Sequence, residues 1–161
     1  MQEKDSKSAV ALETEQCRWF KEATQLLGHV NRFHVEAPAD HTDIEYLDYL
    51  AWIGDARFVG DLDLRPSAFE SIIVGMGAFK DEHWVNTLTL SFIKYCLTSG
   101  GTGSFDGFDA LNQWIRTSRP TCLYDPYISR WLVCAFGCIE LLWVAEDSRE
   151  EFAELRHLID G

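Results

Sequence analysis

Residues 131 to 144 read WLVCAFGCIELLWV and form the longest apolar run of the chain, interrupted only by Glu140. The run is shorter than the roughly 20 apolar residues that a membrane-spanning helix needs. Just before it, Asp125 supplies a capping carboxylate, and Pro126 favours the first turn of a helix. The pattern therefore predicts a buried core helix from about Pro126 to Ala145.

Beyond this helix, the spacing of apolar side chains predicts further helices along the chain. Capping-box spacing, which marks helix starts, pairs Thr42 with Glu45, Ser67 with Glu70, and Ser148 with Glu151. Asp81 is a further candidate N-cap. The predicted helices cover residues 9–32, 42–55, 67–79, 81–97, 108–116 and 126–145, with a last helix from 148.

Two segments between these helices are predicted to be loops. Residues 58–66, FVGDLDLRP, are a connector or an extension of the second helix that then breaks. Residues 99–107, SGGTGSFDG, are a glycine-rich linker without the strand and lysine of a phosphate-binding loop. Few segments alternate with a period of two, so strands are not expected. We predict an all-α, single-domain bundle of six to seven helices, mostly antiparallel neighbours, over residues 9–161. Residues 1–8 are expected to be disordered, and helices 84–97 and 126–145 central.

The five cysteines are scattered, and no apolar leader precedes them. An odd number of cysteines without a leader is typical of a reducing compartment, so we expect a cytoplasmic protein with free thiols. Cys134 and Cys138, one helical turn apart, are predicted to be buried core residues rather than zinc ligands. Cys96 is predicted to be buried and inert.

The net charge of −12 is concentrated in two acidic blocks. Residues 36–63 carry eight carboxylates against Arg57 alone, and residues 140–160 carry seven against two arginines. Charge gathered in this way produces a directional field that attracts and steers cationic partners. The same acidity argues against direct binding to nucleic acid or to anionic membranes.

The predicted second helix places Glu45, Asp48, Trp52 and Asp55 on one face. An aromatic side chain within a stripe of carboxylates resembles a binding hot spot, in which polar groups surround an aromatic anchor. Such a stripe can equally be the solvated face of the helix, with Trp52 packed on a neighbour. The predicted partner-binding residues are Glu45, Asp48, Trp52, Asp55, Asp61 and Asp63, with Glu150, Glu151 and Glu154 as a second set.

No catalytic signature stands out, and no catalytic residue, metal site or cofactor is predicted. Histidines and acids gather around Pro38, but their spacing matches no zinc signature. An enzyme or a ligand-binding helical domain stays open as an alternative, which convergence of His29, His34, His41 and His83 on a pocket would favour. Arg116, Arg119 and Arg130 are expected to pair with nearby acids or cap helix ends.

The stretch from Asp43 to Ser91 resembles part of the helical bacterial immunity proteins that neutralise polymorphic nuclease toxins. A tyrosine- and leucine-rich helix, DIEYLDYLAWIG, is followed by an acidic connector, by a helix with FESII at residues 69–73, and by a helix capped with an acid. The resemblance implies an all-α cytosolic inhibitor that binds one toxin tightly and has no catalytic residues of its own.

Charge and resemblance together predict an acidic interaction module, most simply an immunity protein whose partner is a cognate basic toxin. Complementary fields would speed its capture of that partner. The alternative from the same carboxylates is a nucleic-acid mimic that inhibits a host or phage defence nuclease. A mimic needs a longer, duplex-like array of charge.

Overall fold

The computed structural model describes residues 18–36, 47–75, 82–99, 110–118, 120–142 and 146–160. The fold is an all-α bundle, as predicted, and the described residues form seven helical segments with no strand. They are α1 (residues 18–31), α2 (Leu47–Ile53), α3 (Pro66–Gly75), α4 (Glu82–Ser99), α5 (110–118, of which Trp114–Ser118 are a π-helical turn), α6 (Pro126–Leu142) and α7 (Glu146–Asp160). Short 3-10 turns lie at Val59–Asp61 and Thr121–Tyr124.

Helices α4 and α6 form the centre of the bundle, which confirms the prediction from their apolar sequences. Every side chain from 85 to 93 in α4 and from 131 to 139 in α6 is buried. The buried set in α4 includes the polar Asn86, Thr87, Thr89 and Ser91. A helix that is buried on all sides must be enclosed by its neighbours, so the other helices surround this pair.

The start of α6 follows the predicted cap. The Asp125 carboxylate accepts the backbone N–H groups of Tyr127 and Ile128 at 2.9 and 3.2 Å. These two N–H groups would otherwise lack partners in the first turn. Pro126 has no N–H to satisfy and begins the helix.

Two predicted helix starts are wrong. Helix α3 begins at Pro66, and the Arg65 carbonyl accepts the first helical N–H groups, so Ser67 lies inside the first turn instead of capping it. Helix α7 already includes Glu146, so Ser148 is also inside its helix. The predicted caps Thr42 and Asp81 and the predicted disordered residues 1–8 lie outside the described residues. So does the predicted loop 99–107, apart from Ser99, which the structure places in α4 instead of the loop.

Helix α1 is fixed to α6 by an aromatic contact and an ion pair. A Cβ at Gly137 would lie 2.9 Å from the Trp19 ring, so the indole can sit there only because residue 137 is glycine. Arg130 donates two hydrogen bonds to the Glu22 carboxylate, at 2.7 and 2.9 Å. These bonds lower the pKa of Glu22. The predicted pairing of Arg130 with an acid is thereby confirmed.

The cysteines that the structure describes are Cys96, Cys122, Cys134 and Cys138, and all four are unbridged and buried. Burial raises the pKa of the Cys134 and Cys138 thiols to about 12 and about 11, and it raises those of Cys96 and Cys122 as well. The prediction of buried core thiols is confirmed. At neutral pH these groups stay protonated, which makes them poor nucleophiles.

No helix in the described ranges combines the length and the apolar character that crossing a membrane requires.

Candidate partner-binding surface

The exposed carboxylates of the first acidic block lie on α2 and on the turns that follow it. Asp48 is on α2, Asp55 is two residues past its end, and Asp61 is in the 3-10 turn. All three side chains are exposed. Within the described residues none of them is joined to a cation by a salt bridge. Asp48 and Asp55 therefore direct their charges to solvent, whereas the charge of Asp61 also acts on Lys94 of α4.

The predicted helical stripe does not extend to Asp55. Helix α2 ends at Ile53, and Gly54 has a left-handed φ of 49° with its N–H bonded to the Leu50 carbonyl. This is a common way to end a helix, because glycine adopts positive φ without a steric penalty. Asp55 thus belongs to the turn, and its side-chain direction does not follow from the helical period. Glu45 lies outside the described residues.

Trp52 contacts the protein itself, which is the second of the two arrangements that the sequence left open. Its indole N–H donates to the Asp63 carbonyl at 2.8 Å. Its ring lies 5.0 Å from Phe69 of α3 and 5.9 Å from Tyr49, centroid to centroid. The side chain is half-buried against the core. Trp52 therefore fastens α2 to α3 and to the connector between them.

Asp63 is neutralised locally by Arg65. The Arg65 guanidinium donates to both carboxylate oxygens, the shortest distance being 2.7 Å, and the Arg65 backbone N–H donates to the same group. These hydrogen bonds lower the pKa of Asp63 to about 2. The pair stands directly before α3, so Asp63 organises the start of that helix and contributes little net charge to the surface.

Glu36 opens the first block by sequence, but its carboxylate belongs to a polar network around α4. The Asn86 amide donates to Glu36 Oε1 and, at 2.7 Å, to the Thr121 hydroxyl, while Asn86 Oδ1 accepts the Cys122 N–H at 2.9 Å. The Tyr49 hydroxyl donates to the Glu36 carbonyl at 2.7 Å. This network is not apparent from the sequence, because its members are far apart in the chain and Asn86 looks like any polar residue of a helix.

The second acidic block is partly compensated by the rest of the protein. Glu154 of α7 accepts a hydrogen bond from Arg116 of α5 at 2.8 Å, which confirms that Arg116 pairs with an acid. Glu150 is exposed. The side chain of Glu151 lies outside the described part of the structure, as does Arg119.

The two blocks rest on different elements. Helix α2 packs mainly on α3, whereas α7 packs on α6. Arg156 of α7 also lies over the Trp19 ring of α1, 5.6 Å from its centroid. Each block therefore has its own structural support.

The two histidines that the structure describes in the candidate set pack against different aromatic rings. His29 is stacked on Tyr127 with ring centroids 4.1 Å apart, and His34 is tilted against Phe58 at 5.0 Å. His41 and His83 are not among the described side chains. Over the described ranges, no three metal-ligating side chains gather into a possible site.

Two exposed tyrosines are surface aromatic side chains that the sequence did not single out. Tyr124 and Tyr127 are 73% and 54% exposed and flank the Asp125 cap. The available signal was their position around the Asp125–Pro126 helix start, since residues of a first turn often face solvent. Sequence reasoning instead placed the surface aromatic at Trp52, which is half-buried.

Comparison of the sequence with protein-family models gave no match, and searches of curated proteins and of solved structures gave no significant match.

Proposed function

We propose that this protein binds a cationic protein through the surface formed by Asp48, Asp55 and Asp61, here called the α2 surface. The observation that carries the proposal is that all three carboxylates are exposed and lack a salt bridge within the described residues. An acidic surface of this kind accelerates association with a basic partner and weakens in salt.

We further propose that the partner is a basic, nuclease-type toxin domain that the protein inhibits. This finer statement rests on the resemblance of residues 43–91 to helical immunity proteins and on the charge of the α2 surface. A domain that acts on nucleic acid needs a cationic cleft, because phosphates dominate its binding energy. An acidic protein seated in that cleft would exclude the substrate. Nucleic-acid mimicry has less support. Asp63 and Glu154 are paired with arginines, so fewer carboxylates remain to form the long, duplex-like array of charge that a mimic needs.

The test of the α2 surface is a matched charge reversal measured as an association rate. The partner is the product of the adjacent gene, co-purified with this protein and then separated from it. Asp48→Lys with Asp55→Lys should slow association by about tenfold or more at low salt and flatten its salt dependence. The matched control, Glu70→Lys with Gln25→Lys and Gln113→Lys, makes the same change of net charge at three exposed residues outside both acidic blocks. We expect it to slow association by no more than about threefold.

The outcomes separate the two levels of the proposal. Equal slowing in both variants would show an effect of net charge alone and would overturn the assignment of the α2 surface. A neighbouring product that forms no stoichiometric complex, or whose nuclease activity survives in the complex, would overturn the immunity role. Circular dichroism of both variants checks that the fold is retained.

A further inference from the structure

A cavity of about 290 Å³ lies between α1, α4 and α6. Its walls are mainly apolar and include Phe20 and Leu27 of α1, Leu97 of α4 and Trp131 of α6. Phe20 is 53% exposed, and Thr24, which also lines the cavity, is exposed, so the cavity opens beside them. The volume is at the lower limit of small-molecule sites, which span about 300–1,000 Å³.

Lys94 is the one charged residue among the described side chains that line this cavity. It is half-buried, and its ammonium donates to Asn31 Oδ1 at 2.7 Å. Burial lowers the pKa of this ammonium, while the charge of Asp61 acts in the opposite direction. A cation that is partly removed from water beside apolar walls favours an anion over a neutral group.

Trp131 is the largest fully buried side chain of the wall. Its ring supplies apolar surface against which a hydrocarbon body can pack.

We propose that this cavity binds a small amphipathic monocarboxylate, with its hydrocarbon body against Leu27, Leu97 and Trp131 and its carboxylate at Lys94. A volume of about 290 Å³ holds roughly ten groups the size of a water molecule, which fits a carboxylate of about that many heavy atoms. The net charge of −12 disfavours more highly charged anions.

The probe is octanoate, titrated into the full chain at pH 7.5 and followed by calorimetry. Octan-1-ol tests the charge, octylammonium tests its sign, and acetate tests the hydrocarbon body. We expect saturable one-to-one binding of octanoate, binding of the alcohol that is at least about tenfold weaker, and no binding of octylammonium or acetate. Absence of saturable octanoate binding, or equal affinity for the alcohol, would overturn the proposal.

Variants locate the site. Lys94→Met keeps an apolar side chain of similar length and should weaken octanoate binding at least about tenfold while leaving octanol binding unchanged. Lys21→Met is the matched control, because Lys21 is exposed on α1 and does not line the cavity. Thr24→Phe should fill the opening and weaken both ligands. An equal loss in the two lysine variants, or full octanoate binding by Thr24→Phe, would place binding elsewhere.

Asp61→Asn provides a signed check. The Asp61 carboxylate and the ligand carboxylate are both attracted by the Lys94 ammonium. Neutralising Asp61 should therefore tighten octanoate binding about two- to threefold at low salt. Weaker binding in this variant would contradict a carboxylate at Lys94. Because none of these measurements involves a protein partner, they are independent of the proposed inhibitor function.

Discussion

The two acidic blocks differ in how their charges are used within the protein. On α7, Glu154 is joined to Arg116, and Arg156 lies over Trp19, so charges of that helix hold it to its neighbours. On the α2 surface, Asp48 and Asp55 are exposed without a salt bridge in the described residues. Similar sequence charge thus contributes to internal contacts in one region and to the external field in the other.

The comparison shows why a count of acidic residues overstates the available surface charge. Of the carboxylates in the first block, Asp63 is held by Arg65 and Glu36 by Asn86. Arg65 cancels the charge of Asp63, whereas the neutral Asn86 amide fixes the Glu36 carboxylate beside α4 without cancelling its charge. The sharpest tests therefore distinguish side chains that stabilise the fold from side chains that are available to a partner.

The largest effect should come from Trp52→Ala, which tests whether this side chain serves the fold or a partner. Because the ring packs on Phe69 and Tyr49 and its N–H is bonded to the Asp63 carbonyl, its loss should lower the free energy of unfolding by about 2–4 kcal/mol. Denaturant unfolding measures this change. Trp52→Phe keeps most of the packing and should cost only about 1 kcal/mol, the typical value of one hydrogen bond.

If Trp52→Ala instead left the stability unchanged and reduced only partner affinity, Trp52 would be an interface anchor. Trp52 would then serve the binding of a partner instead of stabilising the fold.

A smaller loss of stability is expected where Trp19 of α1 packs on Gly137 of α6, a contact that also involves Arg156 of α7. Gly137→Ala places a Cβ 2.9 Å from the Trp19 ring, so the ring must shift from its position near three guanidinium groups. We expect a loss of about 1–2 kcal/mol after the helix propensity of alanine is taken into account. Thermal and denaturant unfolding measure it.

Gly28→Ala is the matched control for that substitution. Gly28 also lies in a helix, but a Cβ there would have no neighbour within 4 Å. The same substitution should therefore stabilise the protein by about 0.5–1 kcal/mol. Changes of the same sign at both glycines would contradict the close packing of Trp19 on α6.

The sequence predicted those features that depend on neighbouring residues. Asp125 and Pro126 define the start of α6 through contacts within one turn, and the apolar runs of α4 and α6 identify the centre of the bundle. Capping-box spacing was less specific: at α3, Pro66 occupies the first helical position, and this places Ser67 within the turn. The serine-to-glutamate spacing does not distinguish these two registers.

The site features that were missed depend on residues far apart in the chain. A helical period gives the direction of Trp52 around α2, but the groups that cover it are Phe69 and the Asp63 carbonyl. The cavity at Lys94 is likewise assembled from three helices. In the sequence, Lys94 reads only as one lysine in an apolar helix, and nothing nearby indicates that Trp131 lies across from it.

The smallest changes in stability are expected when a single carboxylate in each acidic block is neutralised, and these variants compare the two blocks most directly. Glu154→Gln removes the charge that pairs with Arg116 and should cost about 0.2–1 kcal/mol, because both side chains are largely exposed. Asp55→Gln removes an exposed carboxylate without a salt bridge in the described residues, and should be neutral or slightly stabilising by relief of like-charge repulsion. Unfolding at low and at high salt measures both changes.

Salt should reduce both effects, because exposed charges are screened over about 8–10 Å at moderate ionic strength. Adding Arg116→Ala to Glu154→Gln completes a double-mutant cycle whose coupling energy isolates the pair. A coupling energy of zero, together with equal losses for Glu154→Gln and Asp55→Gln, would remove the distinction between the two blocks. A measurable coupling on α7, with no cost at Asp55, would show that the charge of the α2 surface is held without benefit to the fold, as a binding role requires.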